Sequence, residues 1–535
     1  MWTILRAVAA AGLLIQAENA KPGTTGWEIA QPALHHEIEG YASRTSVDVG
    51  EPIDLFVNTT ADRYAVEIFR MGWYGGAGAR RVAGPIERRG VRQPPPSIDA
   101  ATGLVDCRWT DPLHVVTRDA DGAWTTGVYL ARLTTLPASP AHPAPPAQSF
   151  IVFVVRDDAS AAPIVFQSSV TTFAAYNNWG GKSLYAFNSG GAPARMVSFD
   201  RPYAMNPYGV RLDGAGDFLR RWEYNAVRFL ERSGYELRYV TDLDTHERGV
   251  GDARLFLSIG HDEYWSWPMR QALEAARDRG VHLAFLGADA GYWQIRLEPA
   301  ADGTPDRTIV AYKEAAAERD PIALDGDPRN DRIVTGRFRD RPTSRPEERL
   351  VGVMYAADPV DADIVVDAAR HWVFAGTGLK DGDALRGLLG YEVDAMYGGG
   401  PPGIERLAHS PFVDQGKTRY ADMTIYRARS GAWVFATGSM QWNWGLDAYN
   451  APAWHSDRVD PRAERITRNV LDRMLADRPR PAPRNTAWPS AIVTIAAVAS
   501  GLWVLRAWWI SRRGGRVRSG DRDRSGAPRR SDFRD

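Results

Sequence analysis

The sequence predicts an α/β protein in which a β-sandwich comes first and a single membrane helix comes last. Three observations support this fold class. Apolar and polar residues alternate between residues 38 and 156, strand–helix–strand units follow Pro163, and an uncharged apolar stretch lies near the C-terminus. A chain of 535 residues is long enough for two folded domains. We therefore predict a β-sandwich over residues 35–157 and an α/β domain with a mostly parallel sheet over residues 163–476.

Charge balance and cysteine content exclude two classes of function. Lys+Arg and Asp+Glu are equal, at 65 each, so no basic excess favours a nucleic-acid partner. Cys107 is the single cysteine, which excludes an internal disulfide framework and a cysteine-based metal cluster. We interpret Cys107 as a small packed side chain.

Residues 1–20 are predicted to be a signal peptide. Arg6 precedes the apolar run Ala7–Ile15, which is typical of a signal-peptide core. Residues 16–20 make a poor cleavage site, so an ordinary apolar start to the first domain is the alternative.

The first domain has the pattern of an immunoglobulin-like sandwich. Ile53, Leu55 and Val57 alternate with other residues, as in a half-buried strand, and Gly/Pro turns separate the short strands. The glycine cluster at 72–78 lies between strands, which favours turn chemistry over a phosphate-binding loop.

Polar residues follow three predicted strands of the second domain. The strands are Ile164–Phe166, Leu255–Ile259 and Val281–Leu286, with a helix from Pro268 to Arg279 between the last two. Because ligands bind beyond the carboxyl ends of parallel strands, we expect these loops to face a common crevice. The polar residues are Thr172, Tyr176, His261, Asp262, Glu263 and Asp289.

Glu263 is the residue on which the predicted chemistry depends. It can act as a metal ligand or a general base, with His261 as a proton carrier or a partner of the metal ligand. Turn hydrogen bonding is the alternative for His261 and Asp262. Four nearby tyrosines allow a phenolate–carboxylate site for oxidised iron, with aromatic packing as the alternative: Tyr176, Tyr185, Tyr203 and Tyr208.

The C-terminal region has the pattern of a membrane anchor. Residues 477–487 are a proline-rich linker, residues 488–510 are predicted to form a transmembrane helix, and residues 511–535 are basic. The positive-inside bias predicts a single-pass membrane protein with a cytoplasmic tail and extracytoplasmic main domains. A buried C-terminal helix is the alternative.

Five motifs in order resemble the C-terminal domain of the N,N-dimethylformamidase large (β) subunit family. The resemblance implies a glutamine-amidotransferase-like α/β fold beside a β-sandwich, and a mononuclear Fe³⁺ between two tyrosines and one glutamate. The motifs are Thr171–Tyr185 (TTFAAYNNWGGKSLY), Ser198–Tyr203 (SFDRPY), Tyr239–His246 (YVTDLDTH), Ser258–Trp267 (SIGHDEYWSW) and Leu286–Arg296 (LGADAGYWQIR).

The same resemblance assigns the iron ligands. It places Glu263 on the glutamate ligand and Tyr176 on the first tyrosine. Tyr203 is our choice for the second tyrosine, with Tyr185 as the alternative.

The resemblance also assigns catalytic roles. His261 would shuttle a proton beside the iron, and Lys313 would stabilise an oxyanion at the pocket wall. Asp289 departs from the pattern, because relatives usually have asparagine there. A carboxylate at this position could alter the substrate or disable the amidase reaction.

Three functions are compatible with these observations. The first is a membrane-anchored, iron-dependent hydrolase of a C–N bond in a small amide-like substrate. The second is a non-catalytic surface protein that binds a glycan or a protein partner. The third is a carbohydrate-active hydrolase that pairs Glu263 with Asp262 or Asp289. A homo-oligomer or a small partner subunit is compatible with all three.

Overall fold

The first part of the chain forms two larger sheets, which share one hydrophobic core, and two small two-stranded sheets. The computed structural model describes residues 13–477, apart from residues 121, 138–144, 210, 452 and 454. The elements of this part are helix α1 (Leu14–Asn19) and strands β1 (Ile38–Ala42), β2 (Ser46–Asp48), β3 (Pro52–Thr59), β4 (Arg63–Met71), β5 (Ala79–Arg89), β6 (Ser97–Ile98), β7 (Val105–Asp106), β8 (Leu113–Val116), β9 (Arg118–Asp119), β10 (Gly122–Ala123), β11 (Gly127–Leu136) and β12 (Gln148–Arg156).

These strands are arranged mainly antiparallel. One of the larger sheets has the order β2-β12-β11-β4-β5 and the other the order β1-β3-β8, and the small sheets are β6-β7 and β9-β10. Alternate residues of β3, among them Ile53, Leu55 and Val57, are buried against residues of the five-stranded sheet. The period-two pattern in the sequence is therefore the inward face of this strand.

The second part of the chain holds the largest sheet and most of the helices. The helices are α2 (Val170–Tyr176), α3 (Tyr224–Arg232), α4 (Asp242–Arg248), α5 (Trp267–Asp278), α6 (Ala316–Arg319), α7 (Pro321–Leu324), α8 (Glu348–Val351) and α9 (Pro461–Ala476), with a π-helical turn at Phe218–Trp222. The strands are β13 (Ile164–Ser168), β14 (Met196–Ser198), β15 (Leu237–Thr241), β16 (Leu255–His261), β17 (Tyr264–Ser266), β18 (His282–Ala288), β19 (Trp293–Glu298), β20 (Thr308–Val310), β21 (Met354–Val365), β22 (Ala384–Ala395), β23 (Glu405–Asp414), β24 (Lys417–Arg427) and β25 (Trp433–Ala436).

The predicted fold class, an α/β protein with a mostly parallel sheet and a C-terminal membrane helix, is wrong. Among the described residues, strands account for 35% and helices for 22%, and the sheets are mixed. The seven-stranded sheet has the order β15-β13-β16-β18-β25-β24-β23, in which β24 and β23 run antiparallel to their neighbours. The physical reason lies in residues 354–427, which form four long antiparallel strands instead of further strand–helix units.

The predicted membrane localisation is also wrong. Among residues 13–477, no helix is long and apolar enough to cross a bilayer. The predicted transmembrane helix at 488–510 and the basic tail at 511–535 lie outside the described residues, as do nearly all of linker 477–487.

The described residues all belong to one compact unit. The proposed domain boundaries, at 35–157 and 163–476, stay predictions. Residues 1–12 of the predicted signal peptide lie outside the described residues, whereas Ile15 and Glu18 in helix α1 are buried in the fold.

Two glycines let the centre of the large sheet close tightly at its carboxyl end. Every residue of β16 and β18 is buried. Gly260 has a φ of +66°, and a Cβ there would lie 2.4 Å from the Cβ of Trp222. A Cβ on Gly287 would lie 2.2 Å from the carbonyl oxygen of Gly260. Only glycine fits both positions, and this close packing fixes where β16 delivers His261.

Helix α5 begins and ends as the sequence predicts. The Ser266 hydroxyl accepts a hydrogen bond from the Met269 amide, and Pro268 lies in the first turn. Gly280, with a φ of +100°, follows the last turn. Helix α5 therefore has defined ends. Its first turn limits the position of the short segment between β16 and α5, which contains Glu263.

Candidate metal and acid–base site

The turn after β16 holds Glu263 in a fixed orientation. The amide of Glu263 donates to the Thr172 hydroxyl at 3.0 Å, and its carbonyl accepts from the Trp293 amide at 3.1 Å. The carboxylate is buried, with 3% of the residue exposed. Helix α2 and the first residue of β19 thus anchor the backbone on both sides of this carboxylate.

Two phenol hydroxyls donate to the Glu263 carboxylate. Tyr176 does so at 2.8 Å and Tyr185 at 2.8 and 3.0 Å, and the two rings stack with centroids 4.2 Å apart. Tyr264 donates to the Tyr185 hydroxyl at 2.6 Å, so a third tyrosine orients the second. The result is a compact cluster of oxygen atoms, which we call the Tyr–Tyr–Glu cluster (Tyr176, Tyr185 and Glu263).

The phenols of this cluster hold their protons strongly. Burial and the charge of Glu263 raise the pKa of Tyr176 and of Tyr185 well above the usual value of 10. Burial opposes ionisation of Glu263 as well, but the hydrogen bond and charge of His261, with the charge of Lys313, lower its pKa overall. The cluster therefore consists of one carboxylate and two neutral phenols when no cation is bound.

His261 lies between two carboxylates. Its Nε2 is 3.2 Å from Glu263 Oε2 and 3.5 Å from Glu392 Oε2. Burial disfavours the imidazolium, but the charge of Glu392 and the hydrogen bond to Glu263 raise the pKa of His261 to about 9. This arrangement is suited to holding and passing a proton.

Asp289 belongs to a second group of carboxyl side chains. Its φ of +56° is in the left-handed region, which Asp and Asn adopt more readily than most residues. Its amide donates to Asp394 Oδ1 at 2.9 Å. Ligand atoms of Asp289, His261 and Glu392 lie within 4.8 Å of one another.

These crowded carboxyl groups resist ionisation. Burial and the charges of Glu392 and Glu263 raise the pKa of Asp289 well above its usual range. Burial also raises the pKa of Glu392 to about 7, against the opposing charge of His261. Burial and the neighbouring charges therefore favour the protonated form of Asp289, and the raised pKa of Glu392, about 7, lies near neutrality.

Lys313 lies on the face of a tyrosine ring. Its Nζ is 3.5 Å from the ring centroid of Tyr185 and 4.9 Å from that of Trp293. Burial lowers the pKa of this ammonium group, although the charge of Glu263 acts in the opposite direction. Lys313 therefore places positive charge beside the Tyr–Tyr–Glu cluster.

Two residues of the sequence-based assignment lie away from this chemistry. Tyr203 packs edge-on against Phe173 with ring centroids 6.4 Å apart and lines cavities other than the one at the cluster. The structure thus brings Tyr185, and not Tyr203, to Glu263. Asp262 accepts hydrogen bonds at 2.8 Å from three side chains that hold it in place: Gln167, Ser258 and Trp265. This bonding matches the turn role left open for Asp262 and removes its support as a catalytic carboxylate.

A cavity of about 870 Å³ opens onto the cluster. It gives Tyr176, Tyr185 and His261 access to a ligand. The lining residues are Tyr176, Asn178, Tyr185, Phe187, Asn188, Asn206, Pro207, Tyr208, Gly209, Arg221, His261, Asp358, Tyr391, Glu392 and Met440.

Sequence reasoning missed Glu392 and Tyr264. Glu392 lies on β22, in a hairpin with β21 that has no strand–helix signal to connect it with the motif at residues 258–267. Tyr264 lies within that motif, but the pattern alone indicates only an aromatic wall beside Glu263. The sequence signal available for Tyr264 is that it directly follows Glu263, a candidate ligand.

The fold and the site together define a member of a known family. Residues 65–456 match the family described as N,N-dimethylformamidase beta subunit-like, C-terminal, and this match covers more than half of the chain. The chain belongs to that family, as the five sequence motifs predicted. The match begins in β4 and so includes strands of the first sheets.

Two relatives carry the name N,N-dimethylformamidase beta subunit. The protein from Paracoccus aminophilus is 25% identical over 347 residues, which are 56% of this chain and 43% of the relative. The protein from Alcaligenes sp is 24% identical over the same lengths. The chain therefore spans less than half the length of the curated relatives that it matches.

Proposed function

We propose that this protein hydrolyses an amide bond with an iron ion held by Tyr176, Tyr185 and Glu263. The observation that carries this proposal is the convergence of two phenol hydroxyls on one buried carboxylate at the base of a large cavity. The names of the two relatives supply the reaction class, and small formamides are the first substrates to test.

The donor set fits a hard, highly charged cation. All three donors are oxygen atoms, and each phenol donates its proton to the carboxylate in the position where a shared cation could replace the protons. When bound, iron would supply Lewis-acid chemistry, which polarises an amide carbonyl and lowers the pKa of water.

The neighbouring side chains are placed to move protons. Glu392, with its pKa raised to about 7, can accept a proton near neutral pH and exchange it with His261 at 3.5 Å. His261 can then deliver that proton to the departing amine nitrogen. Lys313 over the ring of Tyr185 favours loss of the phenol proton, which ligation requires.

Iron content and absorption test the proposal. We expect purified protein to carry about one iron per chain and to show a phenolate-to-iron absorption band. Glu263→Gln should lose the iron, the band and amide hydrolysis, while circular dichroism shows the fold retained. Iron-free protein that still hydrolyses formamides at the same rate would contradict the proposal.

The relatives' designation as beta subunits bears on assembly. We expect this chain to associate with a different subunit or with copies of itself. Light scattering of the purified chain, alone and after co-purification from its native source, measures this. A monodisperse monomer in both preparations would contradict it.

A further inference from the structure

The cavity at the Tyr–Tyr–Glu cluster is larger than a small formamide requires. Its volume of about 870 Å³ lies within the range of about 300–1,000 Å³ that is usual for drug-sized ligands. A one-carbon acyl group with two methyl substituents would leave most of this space to water. The size alone points to a bulkier amide.

Aromatic side chains at the mouth of this cavity are exposed. Phe187 is 65% exposed and Tyr391 is 40% exposed, although both line the cavity. The Phe187 ring lies 5.4 Å from Tyr185 and 6.4 Å from Tyr208, so the apolar surface is continuous with the cluster. An apolar or aromatic group on the substrate would cover these rings and gain hydrophobic free energy.

Arg221 is a cavity-lining cation with hydrogen-bonding capacity to spare. Its Nε is buried and makes no hydrogen bond within the described residues. The guanidinium lies 4.2 Å from the ring centroid of Tyr208 and 5.0 Å from that of Trp222, so aromatic faces and not a carboxylate hold it in place. A rigidly stacked guanidinium with free N–H groups is suited to binding a carboxylate in a bidentate manner.

The acidic groups near Arg221 contact other side chains, and one oxygen of Asp217, Oδ1, has no hydrogen-bond partner within the described residues. Asp217 is buried and accepts the Tyr208 hydroxyl at 3.1 Å, and its charge reaches Arg221 at longer range. Asp358 accepts the Tyr355 hydroxyl at 2.6 Å, and Glu392 lies against His261. A ligand carboxylate would share Arg221 with the charge of Asp217, but it would not have to displace a hydrogen bond from the Arg221 Nε.

Arg221 is also close to the reacting centre. Tyr208, on which it stacks, lies 5.7 Å from the ring of Tyr176. One ring thus separates the guanidinium from a proposed iron ligand. Arg221 and the proposed iron ligand Tyr176 therefore line the same cavity on either side of Tyr208, so one substrate could contact both.

We propose that the substrate is an N-acyl amino acid with an aromatic or large apolar side chain, its carboxylate bound by Arg221 and its side chain packed on Phe187 and Tyr391. This inference rests on the proposed amide hydrolysis. Water adds to the acyl carbon, the C–N bond breaks, and the amine nitrogen takes a proton. The products are a carboxylic acid and a free amino acid.

Matched substrates test the inference. We compare kcat/KM for release of formate from N-formylphenylalanine and from its neutral carboxamide, which lacks the negative charge that Arg221 would bind. Wild-type protein should prefer the acid by about tenfold or more, since hydrogen bonds between charged groups are stronger than those to a neutral amide. Arg221→Met should abolish that preference, Arg221→Lys should retain part of it, and the exposed Arg370→Met should leave it intact. Equal rates for acid and carboxamide in wild-type protein would overturn the proposal.

The aromatic contact is tested in parallel. N-formylphenylalanine should exceed N-formylglycine in kcat/KM, and Phe187→Ala should narrow this difference. A difference unaffected by Phe187→Ala would overturn that part of the proposal.

Calorimetric binding separates this inference from the proposed hydrolysis. N-acetylphenylalanine and its carboxamide are titrated into Glu263→Gln protein, in which hydrolysis should be lost, with and without Arg221→Met, so that recognition is measured without turnover. Selective binding of the acid, lost in Arg221→Met, supports the substrate class even if no hydrolysis occurs. Hydrolysis of small formamides without that selectivity supports the reaction and overturns the substrate class.

Discussion

The protonation of Asp289 determines whether this carboxyl group adds a negative charge to the candidate site. Burial, with the charge of Glu392, raises the pKa of Asp289 well above its usual range and so favours the protonated, uncharged form of the side chain. In this state it resembles the neutral amide of asparagine in size and in its ability to donate a hydrogen bond. The carboxyl group at this position therefore need not add a negative charge to the site.

The substitution Asp289→Asn tests this effect of burial. The quantity to compare is the pH dependence of the stability of metal-free protein. Because the folded pKa is raised, the folded state loses stability as pH rises from the ordinary pKa of 3.8 towards the folded value. The variant should be more stable than wild type, and the gap should widen by up to about 1.4 kcal/mol per pH unit. Thermal unfolding at pH 5, 6.5 and 8 measures it. A gap that stays constant with pH would contradict the assignment.

Single substitutions can distinguish Tyr185 from Tyr203 as the second iron ligand. Tyr185→Phe removes an oxygen that lies 2.8 Å from Glu263, so we expect loss of most bound iron and of the phenolate absorption band. Tyr203→Phe is the matched control, because Tyr203 packs on Phe173 away from the cluster. Metal analysis and visible spectroscopy measure both. The reverse result would restore Tyr203 as the ligand.

At the scale of elements, the end of β16 depends on Gly260. Its φ of +66° and the 2.4 Å that would separate an added Cβ from Trp222 leave no room for a side chain. Gly260→Ala should cost about 1–2 kcal/mol for the left-handed backbone and about 1–3 kcal/mol more for overpacking. Chemical denaturation measures the loss.

Gly403 offers the control for this substitution. It has a similar φ of +74°, but a Cβ added there would meet no atom within 4 Å. Gly403→Ala should therefore show only the backbone cost. Equal losses for the two variants would show that close packing at β16 contributes nothing.

The elements around β16 were predictable because their signals are local. Ser266, Pro268 and Gly280 mark the ends of α5, and continuous apolar runs mark β16 and β18. Helix α2 was not predicted, since its residues Val170–Tyr176 are rich in β-branched and aromatic side chains that have low helix propensity. Packing of its buried face overrides that preference.

The candidate site was predictable in part for the same reason. Glu263, His261 and Tyr176 lie in motifs next to strand ends, and the structure brings them together. Glu392 was not predictable, because its position depends on the pairing of β21 with β22, far along the chain. Long-range strand pairing leaves no local pattern in a single sequence.

At the scale of the whole molecule, a buried ion pair joins the first sheets to the second part of the chain. Arg70 on β4 and Glu231 on α3 lie 2.7 Å apart, and both side chains are fully buried. Arg70 also donates twice to the Thr126 carbonyl, and Tyr239 donates to Glu231 at 2.8 Å. This network fixes β4 against α3 and β15.

Breaking one side of this pair should be more harmful than removing both sides. Arg70→Met leaves the Glu231 charge buried and should cost about 3–5 kcal/mol of unfolding free energy. The double variant Arg70→Met/Glu231→Gln should recover part of that loss, because no unpaired charge remains. A double-mutant cycle by urea denaturation measures the coupling. Strictly additive losses would show that the two charges do not stabilise each other.

The acid–base residue Glu392 and the Tyr–Tyr–Glu cluster come from separate segments of the chain. The cluster is complete by residue 263, whereas Glu392 belongs to the β21–β22 hairpin, whose register contains bulges. A substitution at Glu392 would therefore leave the three oxygen donors of the cluster in the chain. Under the proposed mechanism, proton transfer could change separately from metal ligation, and family members with the same three oxygen donors need not share one reaction.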